Sequence, residues 1–310
     1  MTLAWWRLEL LALPELEESL LWKLGELGII RVALRHRPES PEQRHLLAWL
    51  PEADWPEAER AELERALAPL ASTFGLELPP LHWQRQRDED WSLSWKQHWQ
   101  PDPVGQRLLI LPAWLPLPAE HADRLVIRMD PGSAFGTGSH PTTRLCLEAL
   151  EGLAAEQGLQ TGRPADFGQS RVADLGCGSG ILGIAALLQG ARSVAAVDTD
   201  PLAVRATAEN AAVSGFDDRL EVRQGSVEVL AQMLAGQPAD LLLCNILAPV
   251  IEALAPAFAD VLAPDGVGLL SGLLVQQAPR LQEVFRELGW QAALAAQQSQ
   301  WGLLVLHKAR

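Results

Sequence analysis

Cysteine is scarce in this chain of 310 residues, and its scarcity excludes two kinds of architecture. The three cysteines, Cys146, Cys177 and Cys244, lie far apart in sequence and form no C-x-x-C pair. Neither a disulfide framework nor a thiolate zinc site is indicated, and the seven histidines show no metal-ligand spacing. We therefore expect no metal centre and a reducing, cytoplasmic environment.

Long apolar runs and basic clusters are also missing. No run of about eighteen apolar residues occurs, so no membrane span is expected. The first residues carry acids, including Glu9 and Glu15, and lack the basic segment and cleavage site of a signal peptide. The formal charge of −14 repels phosphate backbones, so direct DNA binding is not expected, although a basic protein would be attracted.

The length and the 48% hydrophobic content predict two domains. Strand and helix patterns in residues 1–86 follow the order β-α-β-β-α-β, which is typical of a small ferredoxin-like α+β domain. Residues 87–101 predict a linker helix, in which Trp91, Trp95 and Trp99 recur every four residues on one face. We interpret this stripe as packing against a domain more readily than as a partner surface.

Residues 102–310 predict an α/β domain of the Rossmann-like kind. Alternating strands and helices indicate a parallel sheet with right-handed crossovers. Two further strands near the end, at residues 291–295 and 302–306, have no helix between them and predict an antiparallel pair at one edge. The parallel strands are expected at Val172–Leu175, Ser193–Val197, Leu220–Arg223, Asp240–Cys244 and Gly266–Ser271.

A glycine-rich turn within residues 171–183 is the feature around which the second domain is organised. The sequence there is Arg-Val-Ala-Asp-Leu-Gly-Cys-Gly-Ser-Gly-Ile-Leu-Gly. It predicts a short buried strand, a turn and a helix whose free N–H groups point back at the turn. Gly176, Gly178 and Gly180 let the backbone turn sharply and keep side chains away from a ligand. Open α/β sheets bind nucleotide-like cofactors at such a unit.

Two cofactors compete for this turn. Residues 178–183 satisfy the G-x-G-x-x-G fingerprint, so an NAD-dependent oxidoreductase stays open as a remote alternative. Asp174 favours the other cofactor, because a carboxylate ahead of the turn would repel a pyrophosphate. The same carboxylate suits the ammonium and sulfonium groups of S-adenosyl-L-methionine. The residues therefore favour S-adenosylmethionine, with Asp174, Gly176 and Gly178 among its contacts.

Polar residues follow three later strands. Asp198 ends the second strand about twenty residues past the glycines, where a carboxylate accepts both ribose hydroxyls of a cofactor. Asp200, ahead of Pro201, is expected to cap the next helix. Ser226 follows the third strand, where an adenine contact would fall, and Asn245 follows the fourth. The amide oxygen of Asn245 can accept hydrogen bonds from an amine and orient its lone pair.

Several segments together resemble the ribosomal protein L11 methyltransferase family (PrmA), over nearly the whole chain. One departure is the loop Gln160–Ser170, which is longer than the family usually has and is expected on the surface, with no role assigned. The matching segments are Asp130-Pro-Gly-Ser-Ala-Phe-Gly-Thr-Gly-Ser-His-Pro-Thr-Thr143, Asp174-Leu-Gly-Cys-Gly-Ser-Gly-Ile-Leu182, Asp198-Thr-Asp-Pro201, Asn245-Ile-Leu-Ala248 and Ser271-Gly-Leu-Leu274.

The resemblance implies a seven-stranded class I methyltransferase domain behind a ferredoxin-like domain. It also implies an S-adenosylmethionine-dependent enzyme that methylates lysine side chains and the N-terminal amine of ribosomal protein L11. Phe135 and the loop 136–140 would cover the methionine end and the reacting amine. The first domain would bind the ribosomal protein, free or on the large subunit, and swing on the linker helix. Cofactor contacts would fall on Thr143, Gly176, Asp198 and Asn245.

Other functions stay open from the residues alone. The nearest is a class I N-methyltransferase acting on another protein or on a nucleic-acid amine. Such relatives usually carry Asn-Pro-Pro-aromatic after the fourth strand, whereas Asn245-Ile-Leu-Ala has no aromatic side chain and favours a flexible aliphatic amine. A module that binds the cofactor without catalysis is a further alternative. His140 could act as a general base or could cap the glycine loop as a structural residue.

Overall fold

A computed structural model describes residues 4–29, 31–37, 40–87, 99–130, 137–156 and 167–309. The chain forms two compact units. The first unit comprises residues 1–100 together with residues 131–140, and the second comprises residues 101–130 and 141–310. The segment that precedes residue 141 therefore belongs to the first unit, although it is distant from the rest of that unit in sequence.

The first unit contains a four-stranded antiparallel sheet and two helices. The sheet order is β2-β3-β1-β4, which is the order of a ferredoxin-like domain, and the predicted sequence of elements is confirmed. The elements are β1 (Ala4–Ala12), α1 (Glu17–Glu26), β2 (Val32–Arg37), β3 (Ser40–Pro51), α2 (Glu57–Thr73) and β4 (His82–Arg87).

Alternation of side chains along the strands builds the core of this unit. Leu8, Leu10 and Ala12 of β1 point to one face and are fully or almost fully buried. The apolar stripe of α1 covers that face, with Leu20 and Leu24 four residues apart and both fully buried. The buried residues thus recur with a period of two in β1 and of about four in α1, which is the pattern of one buried face in each element.

Only the last tryptophan of the predicted linker helix lies within the described residues. Trp99 packs against the core of the first unit, and its indole N–H donates to the carbonyl oxygen of Val32 at 3.0 Å. This contact is the packing role expected for the stripe at that position. Trp91 and Trp95 lie outside the described residues, as does most of the predicted linker helix.

The second unit opens with a small sheet of three strands, β5 (Asp102–Val104), β6 (Leu108–Pro112) and β7 (Leu125–Met129). The sequence predicted β6 and β7, which pair in parallel. It missed β5, a strand of three residues that contains Pro103 and is too short to show a period. All five residues of β6 are buried, so the strand reads as a continuous apolar run.

The main sheet of the second unit has seven strands in the order β10-β9-β8-β11-β12-β14-β13. Five are parallel, and β14 is antiparallel to both of its neighbours, as the helix-free C-terminal pair predicted. The strands are β8 (Arg171–Leu175), β9 (Ser193–Asp198), β10 (Leu220–Gln224), β11 (Ala239–Asn245), β12 (Leu262–Leu274), β13 (Trp290–Gln298) and β14 (Trp301–Lys308).

Helices cover the faces of this sheet. They are α3 (Pro141–Glu156), α4 (Ile181–Leu188), α5 (Pro201–Val213), α6 (Val227–Leu234), α7 (Ala248–Leu254), α8 (Phe258–Val261) and α9 (Ala278–Glu287). The three cysteines are buried and free, and burial raises the pKa of each thiol. No helix among the described residues is long and apolar enough to cross a membrane.

The expected surface loop at Gln160–Ser170 lies partly outside the described residues. Its described end, Phe167–Gln169, is a short 3-10 turn. Phe167 is 7% exposed, so the expectation of a surface loop is wrong for this residue. An aromatic ring gains more from burial than a three-residue turn loses by lying against the domain.

Candidate functional site

The candidate site lies at the carboxyl edge of the seven-stranded sheet. Leu175 of β8 pairs with Val197 of β9 and with Cys244 of β11. The residues that follow, Asp198 on one side and Asn245 on the other, therefore flank the glycine turn. The strand order changes direction between β8 and β11, and this topological switch point is where open α/β sheets bind ligands.

The glycine turn has the sharp geometry that its sequence predicted. Gly176, Gly178 and Gly180 have φ angles of 75°, 56° and 80°, in the left-handed region that favours glycine. The backbone N–H groups of Gly176 and Cys177 both donate to the carbonyl oxygen of Val197, at 2.9 and 3.0 Å. The turn is thereby tied to the neighbouring strand β9.

The glycines at this edge have no Cβ and therefore also leave space for neighbouring protein atoms. A Cβ at Gly176 would lie 2.3 Å from Cγ2 of Ile246, and a Cβ at Gly272 would lie 2.2 Å from the carbonyl oxygen of Ile246. Ile246, which follows Asn245 directly, is therefore packed between glycines of the two neighbouring strands. Gly176 was predicted to allow a sharp turn and to leave space for a ligand, and in the structure it also leaves space for Ile246.

Two buried side chains of α5 hold the glycine turn, and the sequence analysis missed both. The Thr207 hydroxyl donates to the carbonyl oxygen of Gly178 at 2.9 Å, and the Asn210 side-chain N–H donates to that of Ser179 at 2.9 Å. Thr207 and Asn210 are three residues apart and therefore share one face of the helix. The available signal was two polar residues on a face that otherwise carries alanine.

Asp198 holds the turn from the opposite side. Its Oδ2 accepts from the backbone N–H of Gly178 at 2.9 Å, and its Oδ1 accepts from that of Asp200 at 3.0 Å. A carboxylate has about four acceptor positions, and those that the backbone does not use are open to ligand hydroxyls. Burial is the main cause that raises the Asp198 pKa, and backbone hydrogen bonds from Asp200, Gly178 and Thr199 oppose it. Asp200 caps α5 as predicted, accepting from Leu202 at 2.8 Å.

Asp174 is more deeply buried than its sequence position suggested. It is 1% exposed, and its Oδ2 accepts from the backbone N–H of Gly183 at 3.0 Å, in the first turn of α4. Burial raises its pKa to about 7. Its Oδ1 is buried and has no hydrogen-bond partner among the described residues. A cationic ligand group at this end of the sheet would stabilise that oxygen.

Ser226 stands at the same edge, after β10. The backbone N–H of Gly225 donates to the carbonyl oxygen of Asp198 at 2.9 Å, which places the start of α6 beside the end of β9. Ser226 occupies the N-cap position of α6 but its side chain makes no capping hydrogen bond. Since serine at an N-cap usually bonds the helix, a hydroxyl that does not do so is available to a ligand.

Thr143 and Asn245 are hydrogen-bonded to each other. The Asn245 side-chain N–H donates to the hydroxyl oxygen of Thr143 at 3.2 Å. Thr143 is completely buried, whereas Asn245 is partly exposed. The contact orients the Asn245 amide, because its nitrogen is engaged and its Oδ1 becomes the atom that can accept from a ligand. Thr143 thus acts on the site through Asn245.

His140 is buried in the first unit, at 4% exposure. Its backbone N–H donates to Oε1 of Glu18 at 2.8 Å, and its imidazole hydrogen-bonds the backbone of Glu15. Burial lowers the His140 pKa to about 4. A buried imidazole of that pKa is a poor base for an ammonium group, so the geometry favours the structural interpretation of His140. Phe135 and Gly136, the remaining loop residues of the prediction, lie outside the described residues.

These features fit S-adenosylmethionine better than a dinucleotide. Asp174 has a buried oxygen without a hydrogen-bond partner among the described residues, and a cation bound near it would favour its charged form, whereas a pyrophosphate would oppose it. The Asp198 carboxylate can accept from a ribose, and the Ser226 hydroxyl makes no capping hydrogen bond. Among the described residues, no three His, Cys, Asp or Glu side chains are placed to hold a metal ion.

Comparison with known proteins identifies the family. The family model described as ribosomal protein L11 methyltransferase (PrmA) matches residues 4–309. A protein named ribosomal protein L11 methyltransferase from Synechococcus sp. (strain RCC307) is 63% identical over 99% of this chain and 98% of its own length. One of the same name from Parasynechococcus marenigrum (strain WH8102) is 61% identical over 95% of this chain and 98% of its own.

A solved structure agrees with these sequence matches. The crystal structure of a ribosomal protein L11 methylase from Lactobacillus delbrueckii subsp. bulgaricus is 31% identical, with a TM-score of 0.57. It covers 68% of this chain and 100% of its own. On the family model and on relatives above 60% identity over nearly the full length, the chain belongs to the ribosomal protein L11 methyltransferase family.

Proposed function

We propose that this protein transfers methyl groups from S-adenosylmethionine to amino groups of ribosomal protein L11, in the cytoplasm. The observation that carries the proposal is the row formed at the carboxyl edge by Asp198, the glycine turn and Asn245. It combines a carboxylate that can accept ribose hydroxyls, a turn with three glycines and an oriented amide at the ends of three neighbouring strands. The proteins that share the family carry the L11 name, which supports L11 as the substrate.

Asp198, Ser226 and Asp174 would hold the cofactor. Asp198 would accept the two ribose hydroxyls, and the Ser226 hydroxyl would lie against the adenine. The unpartnered oxygen of Asp174 would favour the positively charged methionine end. S-adenosylmethionine, when bound, supplies both the methyl group and a good leaving group, so the protein mainly has to position the reactants.

Asn245 would orient the amine. Thr143 engages the amide nitrogen of Asn245, so Oδ1 accepts an N–H from the substrate and turns the nitrogen lone pair toward the methyl group. An amide oxygen is not a strong enough base to remove the proton of an ammonium. Asn245 therefore binds the neutral amine rather than generating it.

Loss of the amine proton would come from desolvation. A lysine has an unperturbed pKa near 10.4, and an apolar surrounding lowers it because the charged form loses its hydration. Ile246 is packed beside Asn245, and Leu247 and Val250 follow with 50% and 43% exposure, so the surface next to the amide is aliphatic. An aliphatic surface suits the methylene stem of lysine.

Residues 1–86 would supply substrate recognition, and the linker segment at residues 87–101 would connect them to the catalytic domain at residues 102–310. The formal charge of −14 favours a basic protein substrate over a nucleic acid. A methyltransferase for another amine is the second candidate function, and the aliphatic run after Asn245 is the observation that ranks it lower.

The test is methyl transfer by the full-length protein to purified L11, followed by intact mass spectrometry. Wild type should add mass in steps of one methyl group, and N245A should lower kcat on the order of 100-fold, because a preorganised hydrogen-bond partner of the reacting group is lost. Asn210 is not a suitable control because it holds the turn. Q224A is suitable, because this exposed residue bonds only the backbone of Thr199. Absence of methyl transfer by wild type would refute the proposal.

A further inference from the structure

A buried hydrogen bond ties the segment before α3 to the first helix of the chain. The backbone N–H of His140 donates to the Glu18 carboxylate at 2.8 Å, and both residues belong to the first unit. The His140 imidazole bonds the backbone of Glu15 in the turn that leads into α1. Two bonds from one residue to one turn of the chain fix both its backbone and its side chain.

Burial makes this contact expensive to break. Glu18 is fully buried and His140 is 4% exposed, so neither group can exchange its partner for water without local opening. An N–H or an acceptor oxygen that is left without a partner in the protein interior is unfavourable, so the bond between His140 and Glu18 is strongly favoured over its absence. The segment itself is ordered by a second contact, because the hydroxyl oxygens of Thr137 and Ser139 lie 2.9 Å apart.

The neighbouring residue shows that a glutamate at this turn need not have this role. Glu17 is 2% exposed, and both of its carboxylate oxygens accept from Nη1 of Arg44 on β3, at 2.9 and 3.2 Å. Glu17 thus pairs within the α/β body of the first unit, whereas Glu18 reaches the distant segment. The two adjacent acids form a matched pair for experiment.

The position of the segment in the chain connects it to the candidate site. Pro141, the next residue, begins α3, and Thr143 in the first turn of that helix accepts the amide of Asn245. His140 lies only three residues before Thr143 in the chain, so the position of His140 bears on the side chain that orients Asn245.

We propose that Glu18 is a positioning residue for methyl transfer. By holding the His140 N–H, it fixes the segment Thr137–His140 and, through it, the start of α3. The first domain would then contribute to the chemical step as well as to the recognition of the substrate. This inference rests on the proposed function, because it assigns Glu18 a part in that reaction.

The test compares E18A with E17A and E18Q in the full-length protein. Hydrogen–deuterium exchange should rise in peptides spanning residues 137–146 for E18A, because the acceptor of the His140 N–H is lost. It should stay at the wild-type level for E17A and remain close to it for E18Q, whose amide oxygen can still accept. Calorimetry should show that all three variants still bind S-adenosylmethionine, which shows that the second unit is folded.

The kinetic readout separates positioning from stability. E18A should lower kcat for L11 methylation about tenfold or more, with KM little changed, because a small misplacement of reacting groups costs rate. E18Q should recover most of that rate. Unchanged exchange in E18A, or equal losses of kcat in E18A and E17A, would overturn the inference. Absence of methylation by wild type would instead refute the proposed function, and the exchange data would still decide whether Glu18 holds the segment.

Discussion

Replacing Asp198 with alanine should weaken the binding of S-adenosylmethionine. The carboxylate at the end of β9 would accept the ribose hydroxyls, and a hydrogen bond to a charged acceptor contributes about 1.5–3 kcal/mol. Asp198 is only partly buried, so water replaces part of what is lost. A net loss of about 2–3 kcal/mol corresponds to a Kd about 30- to 150-fold higher.

The same substitution should also destabilise the fold. The backbone N–H groups of Gly178 and Asp200 lose their acceptor, and each unsatisfied donor costs about 1–3 kcal/mol when buried. Asp200→Ala is the control, because it removes a carboxylate two residues away whose bond to Leu202 only caps α5. It should cost about 1 kcal/mol of stability and leave the cofactor affinity unchanged.

Isothermal titration calorimetry with S-adenosylmethionine and urea unfolding measure the two effects separately. D198A should change both Kd and the free energy of unfolding, and D200A only the latter. If D198A lost stability while binding the cofactor as tightly as wild type, the carboxylate would be a purely structural support of the turn. The assignment of the ribose to Asp198 would then be refuted.

Other substitutions test the packing and charge state of the site. Wild type and His140→Asn should be compared by their free energies of unfolding between pH 6.5 and about 4. The difference, wild type minus variant, should shrink by about 3 kcal/mol as the pH falls, because the His140 imidazole takes up its proton at a higher pH in the unfolded chain than in the folded one. A pH-independent difference would show that the imidazole is not buried. Gly176→Ala should destabilise the protein by about 1–3 kcal/mol more than Gly215→Ala in urea unfolding, since both have φ of 75° but only the first meets a neighbouring side chain; equal losses would contradict that packing. Thr207→Val should lower the free energy of unfolding by about 1–3 kcal/mol and weaken cofactor binding, because the Gly178 carbonyl oxygen loses its hydrogen-bond donor. Wild-type cofactor affinity by calorimetry would show that this support of the turn does not affect binding.

Most of the fold could be predicted from periodicity. Alternation in β1 and the four-residue spacing in α1 report burial directly, and the switch from helix-separated strands to a helix-free pair at β13 and β14 predicted the one antiparallel addition. The short strand β5 escaped because three residues carry no period. Phe167 was placed on the surface because it lies in a long loop that was expected there, although its aromatic side chain is buried.

The candidate site could be predicted from the sequence only in part, for a different reason. Asp198 and Asn245 follow strands in sequence, so their place at the sheet edge could be predicted from topology alone. Thr207 and Asn210 act from a helix whose face is defined only once α5 packs on the turn. The partner of His140 is 122 residues away in sequence, and no local pattern announces such a contact.

The most direct test of the account is methylation of L11 by the purified full-length protein with S-adenosylmethionine, read by intact mass and by peptide mapping of the product. The account predicts methyl groups on amino nitrogens of L11, with transfer strongly reduced in N245A while calorimetry shows that the cofactor still binds. L11 that stays unmodified, or N245A that methylates as fast as wild type, would contradict it.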